Sequence, residues 1–209
     1  MWLKALVVGL YVLGLSTVAS SAQADNAKIL IVGDSISAGY GVPRGSGWAD
    51  LLPNALEHPV DVINASISGE TTVGGAARIN KLLQQHQPNI VVIELGGNDG
   101  LRGYPLDRIE KNLATMVEQS QQSGACGVVL LGMRIPPNYG PRYSEGFFQL
   151  YAKLAARYNT ELVSFFLANV AEKPSLMQSD GIHPTTEAQP ILVDNARATL
   201  NQTLTACGA

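Results

Sequence analysis

Short, unbroken apolar runs alternate along this chain with longer stretches whose apolar positions recur at helical spacing. The runs are Lys28 to Val32, Val60 to Ile63, Ile90 to Leu95, Val128 to Met133 and Leu162 to Phe166. Continuous hydrophobicity over so few residues predicts strands buried on both faces. Between them, Trp48 to Leu56, Val73 to Gln85, Leu106 to Gln122 and Phe147 to Tyr158 read as amphipathic helices. Thr186 to Leu204 reads as a last helix whose start is blurred by Pro190. Regular alternation of strand and helix predicts an α/β fold with a parallel sheet, because each parallel return needs a right-handed crossover that leaves helices on both faces. Ligands bind such sheets beyond the carboxyl ends of the strands, so site residues should follow strands rather than precede them.

The N-terminus belongs to a different pattern. Lys4 precedes a nearly continuous apolar stretch from Ala5 to Val18, and Ala22-Gln23-Ala24 offers a small-x-small cleavage sequence. The stretch is shorter than the ~20 residues that span a bilayer, and no nearby cysteine offers a lipid anchor. Residues 1–24 are therefore expected to be a cleaved signal peptide, and residues 25–209 one domain, periplasmic or secreted, without stable membrane insertion. A net charge of −3 with no basic block argues against a nucleic-acid partner. Cys126 and Cys207 lack metal-ligand spacing. Export permits a disulfide between them, but one buried and one loose thiol fit the sequence equally well. No P-loop, G-x-G-x-x-G or H-E-x-x-H motif occurs, and no cofactor or metal is expected. Oligomeric state is not readable, with a monomer the working expectation.

Four segments at predicted strand ends carry the candidate chemistry. Gly33-Asp34-Ser35-Ile36-Ser37 follows the first strand, and Ser66-Ile67-Ser68-Gly69-Glu70 the second. Gly96-Gly97-Asn98-Asp99-Gly100 follows the third, and Asp180-Gly181-Ile182-His183-Pro184 precedes the last helix. A serine hydroxyl needs a base to become a nucleophile, and neutral imidazole suits that role near pH 7. Of three histidines, His58 and His86 read as surface residues beside Pro59 and Pro88, whereas His183 has Asp180 three residues away in a loop. Asp180 could fix the imidazole tautomer and stabilise the imidazolium. Taken singly, Asp-x-x-His reads as an ordinary loop, and Gly-Asp-Ser as a helix cap. Together, all at strand ends, they make Ser35 the candidate nucleophile.

That combination resembles the SGNH, or GDSL-type, hydrolases, whose four namesake residues are matched by Ser35, Gly69, Asn98 and His183. The resemblance covers essentially all of residues 25–209, with GDSI in place of GDSL. Asn64 to Gly69, Leu95 to Gly103, Pro137 to Gly140 and Asp180 to Pro184 look like the thioesterase and lysophospholipase branch of that family. It implies a three-layer, flavodoxin-like fold with a five-stranded parallel sheet and a Ser35–His183–Asp180 triad. It also implies an oxyanion hole formed by the Ser35 and Gly69 N–H groups and the Asn98 amide. Asp34, Glu70 and Asp99 read as structural residues bonding nearby backbone.

The substrate implied is a small acyl ester or thioester, including acyl-CoA thioesters, aryl esters or lysophospholipids. In the resembling enzymes the segment Met133 to Tyr143 borders an acyl groove, with the loop after Gly69 expected opposite. A carbohydrate O-acetyl esterase is a second reading, disfavoured by an aromatic content of 6%. A non-catalytic exported binding protein on the same fold is a third.

Overall fold

The computed structural model describes residues 26–208. The expected signal peptide lies outside them. The apolar runs form strands β1 (Ala27–Gly33), β2 (Val60–Asn64), β3 (Ile90–Glu94), β4 (Gly127–Leu131) and β5 (Glu161–Val163). All pair in parallel, in the order β2-β1-β3-β4-β5. The helices are α1 (Trp48–Leu51), α2 (Thr72–His86), α3 (Gly97–Leu101), α4 (Leu106–Gln122), α5 (Pro141–Tyr158) and α6 (Gln189–Ala206).

Alternate residues of each strand feed separate cores. Leu30 and Val32 of β1 join Ile79, Leu113, Phe147 and Leu154 from α2, α4 and α5 on one face. Ile29 and Ile31 join Trp48, Leu192, Ala196 and Leu200 from α1 and α6 on the other. Both faces of β3 are covered, which is why Ile90 to Ile93 are wholly buried and the run shows no polar alternation.

Several boundaries differ from expectation. The first helix ends after one turn and tightens into a 3₁₀ segment over Leu52–Asn54, where Pro53 cannot donate to an α-helical ladder. Helix α5 starts at Pro141, within the segment expected as loop, because proline fits a first helical turn. Strand β5 stops at Val163, and Phe166 turns back into the α6-side core. Cys126 and Cys207 form a disulfide across 81 residues, joining the start of β4 to the end of α6. Among the described residues, no helix is long and apolar enough to cross a membrane.

Candidate active site

The order of the sheet reverses between β1 and β3, so chain leaving these neighbouring strands departs toward opposite faces and opens a crevice at their carboxyl ends. Ser35 follows β1 there, and Asn98 lies in the first turn of α3 after β3. Gly69 comes from the loop after β2, with φ +78°, a left-handed conformation that strains any L side chain.

His183 reaches the crevice on a folded-back loop. Met177 and Pro184 make an antiparallel bridge, and the Gln178 N–H donates to the His183 carbonyl at 2.7 Å. The Gln178 side-chain amide donates to the carbonyls of Pro184 at 2.9 Å and Tyr40 at 2.8 Å. One side chain thus ties the histidine loop to the turn that carries Ser35. His183 Nε2 stands 2.8 Å from Ser35 Oγ, and Nδ1 stands 2.6 Å from Asp180 Oδ2. The other Asp180 oxygen accepts the N–H groups of Ile182 at 2.9 Å and His183 at 3.0 Å. The His183 N–H, then the imidazole and the Ile182 N–H, hold the Asp180 carboxyl down at about 2, so it is ionised near neutral pH.

A buried acidic layer supports the serine turn. Glu94, wholly buried, accepts the Asp34 N–H at 3.2 Å, the Ser37 N–H at 3.3 Å and the Ser37 hydroxyl at 2.7 Å. Gly33 leaves room for this, since a Cβ there would stand 2.6 Å from the Glu94 carboxylate. The Trp48 indole N–H donates to Ser37 Oγ at 3.2 Å and extends the network into α1. Asp34 accepts the Ile36 N–H at 3.0 Å and the Asn98 side-chain amide at 3.2 Å. An acceptor-only carboxylate fixes which end of the Asn98 amide faces it, directing the NH₂ group rather than the oxygen toward the serine turn. Burial raises the Asp34 carboxyl to about 6, and burial together with the neighbouring Asp34 charge drives that of Glu94 well above its ordinary range. Among the described residues the N–H groups of Ser35 and Gly69 donate to no protein acceptor.

The crevice brings Ser35, Gly69, Asn98, Asp180 and His183 to one edge. His58 precedes β2, where its Nε2 lies 3.4 Å from Thr205 Oγ1, and His86 ends α2, both away from that edge. One reading of the supporting acids needs correction. Glu70 pairs with Arg78 at 2.7 Å rather than with backbone. Asp99 bonds backbone as read: it accepts the N–H of Thr72 at 2.9 Å and its hydroxyl at 2.7 Å, capping α2 from 27 residues away. Glu94 and Gln178 were not singled out by sequence. A lone carboxylate in the otherwise apolar β3 run was the available signal for Glu94. Gln178 offered none, because its partner Tyr40 lies 138 residues away.

Beside Ser35 opens a mainly apolar cavity of about 340 Å³, walled by Ile36, Met133, Ile135, Leu167, Met177 and Ile182 among others. The segment after β4 forms one wall, as expected. The facing wall is the β5–α6 connection, not the loop after Gly69. Sheet order is the reason: β2 lies beyond β1 on the side away from β4 and β5, so its loop flanks Ser35 from the other direction.

The chain is similar to known proteins. Residues 31–190 match the model of the GDSL-like Lipase/Acylhydrolase family. The chain is 50% identical to the arylesterase of Vibrio mimicus, over 84% of this chain and 88% of that one. It is 45% identical to thioesterase 1/protease 1/lysophospholipase L1 of Escherichia coli K12, over 79% of each. A crystal structure of the psychrotrophic esterase EstA from Pseudoalteromonas sp., inhibited by monoethylphosphonate, superposes with a TM-score of 0.81 at 42% identity, covering 87% of this chain and all of that one. The motifs, the parallel sheet and these similarities establish that the chain belongs to the GDSL-like lipase/acylhydrolase family, whose similar members carry the names of carboxylic-ester and thioester hydrolases.

Proposed function

We propose that this protein is an exported serine hydrolase that cleaves small acyl esters and thioesters through an acyl-enzyme intermediate. The observation that carries the reading is the unbroken line of hydrogen bonds from Asp180 through His183 to Ser35 at the mouth of an apolar cavity. Ser35 Oγ attacks the acyl carbon while His183 Nε2 takes its proton, and Asp180 stabilises the imidazolium that forms. The negative charge on the tetrahedral oxygen is met by the free N–H groups of Ser35 and Gly69 and by the Asn98 amide that Asp34 holds in orientation. His183 returns the proton to the leaving alcohol or thiol. Water then attacks the acyl-serine by the same route in reverse and releases the acid.

The cavity walls favour an aliphatic acyl chain over a polar sugar, which supports simple esters over acetylated polysaccharide. Residues 1–24 act in this reading as the export signal, and residues 25–209 as the working domain. Turnover of p-nitrophenyl butyrate by the mature protein, with stoichiometric labelling of Ser35 by an organophosphonate, tests it. Absence of both turnover and labelling would overturn it.

A further inference from the structure

Among the described residues the exposed large hydrophobics are Tyr40, Ile67, Val73 and Ile182, and each sits on a segment at the carboxyl edge of the sheet. Ile182 lines the acyl cavity. Ile67 and Val73 follow β2, and Tyr40 follows β1. Tyr40 is the most exposed of the four, at 53%, yet its ring lies against the imidazole of His183, with centroids 4.5 Å apart and planes inclined by 40°. Its backbone is pinned on both sides. The Tyr40 N–H donates to the carbonyl of Ser35 at 3.0 Å, and the Tyr40 carbonyl accepts from Gln178 at 2.8 Å. An exposed aromatic ring carried on so firmly held a backbone, stacked beside the reacting groups and absent from the acyl cavity wall, is open to a partner of its own.

The chemistry of ester cleavage supplies one. As the tetrahedral intermediate collapses, the bond from the acyl carbon to the leaving oxygen breaks, and His183 Nε2 delivers the proton it took from Ser35 to that oxygen. The leaving group must therefore stand next to His183, while the acyl chain extends into the cavity. From these positions we infer that Tyr40 is the platform for the leaving group, and that its half-bare ring selects esters of aromatic alcohols over those of small alkyl alcohols. Aromatic rings favour offset or edge-on contact with one another, which a fixed ring beside the departing oxygen provides for an aryl group but not for ethanol.

The inference rests on the serine-hydrolase reading, and the experiment separates the two. Wild type, Tyr40→Ala and Tyr40→Phe are compared on 2-naphthyl butyrate and ethyl butyrate, which give the same acyl-enzyme. Rates of acylation and deacylation are measured separately by rapid mixing. The naphthyl-over-ethyl preference in kcat/KM should fall about tenfold in Tyr40→Ala, with the change in the acylation step, and should persist in Tyr40→Phe. Equal fractional losses on both esters, or an equal slowing of deacylation, would mean that the ring only holds His183, and would overturn the inference. So would an unchanged preference in Tyr40→Ala. If wild type forms no acyl-enzyme at Ser35 at all, it is the serine-hydrolase reading that falls.

Discussion

At the residue scale, Ser35 depends on contacts that differ in what they contribute. In the proposed mechanism, replacing it with Ala removes the nucleophile and should lower kcat by about 10⁴-fold or more, with an unfolding midpoint near that of wild type by differential scanning fluorimetry. If Asn98 donates to the tetrahedral oxygen as proposed, Asn98→Ala should cost about 10²–10³ in kcat with little change in ground-state binding. Protonation of His183 removes the proton acceptor, so kcat/KM should decline on acidification, and a flat profile from pH 5 to pH 9 would contradict its role as base. Asp34 and Asp180 oppose each other in their effect on folding. The Asp34 carboxyl, raised to about 6 by burial, binds a proton in the folded state that the unfolded chain has already released, so its contribution falls as pH rises from about 4 to 6. Asp180, held at about 2, contributes stability above the ordinary carboxylate range that is lost as pH drops toward 2. Denaturant unfolding at pH 4 and pH 7 should find Asp34→Asn gaining on wild type at the higher pH, by on the order of 2 kcal/mol.

At the scale of elements, the site is an agreement among loops from every part of the sheet. The turn after β1 is anchored to β3 through Glu94, α2 is capped by Asp99 from α3, and the histidine loop is tied to the serine turn by Gln178. Gln178→Ala deletes two side-chain bonds that align His183 with Ser35, and steady-state kinetics should register it as a roughly tenfold loss in kcat with little change in KM. The cavity between the β4 segment and the β5–α6 connection gives a complementary test. Leu167→Trp should fill part of it and depress kcat/KM for octanoyl esters far more than for acetyl esters; equal losses would remove the cavity from acyl binding. The five strands and most of the helices were legible in the hydrophobic pattern, because strands buried on both faces leave a continuous apolar signature. Helix ends at Pro53, Pro141 and Pro190 were less so, since proline both breaks and begins helices depending on where it stands.

At the scale of the whole molecule, the disulfide closes the far side from the site. Cys126 stands at the amino end of β4 and Cys207 just beyond α6, while the candidate catalytic residues gather at the carboxyl edge. Closing a loop of this length, 81 residues, stabilises by roughly 4–5 kcal/mol in the chain-entropy account. Cys207→Ser should therefore lower the melting temperature by about 5–15 °C while leaving kcat/KM at 25 °C close to wild type.

What the sequence determined by itself was local. Runs of apolar residues specified strands, their alternation with helices required a parallel sheet, and motifs at strand ends marked Ser35, Gly69, Asn98, Asp180 and His183 as candidates. The tertiary structure decided what depends on partners distant in sequence: the order β2-β1-β3-β4-β5, the pairing of Cys126 with Cys207, and the reach of Gln178 across 138 residues to Tyr40. The strand order also set the wall facing the β4 segment across the apolar cavity as the β5–α6 connection rather than the loop after Gly69, leaving Tyr40 outside the cavity beside His183. The physical reason is that periodicity reports which face of an element is buried, whereas neighbours in space are selected by packing the whole set of faces at once.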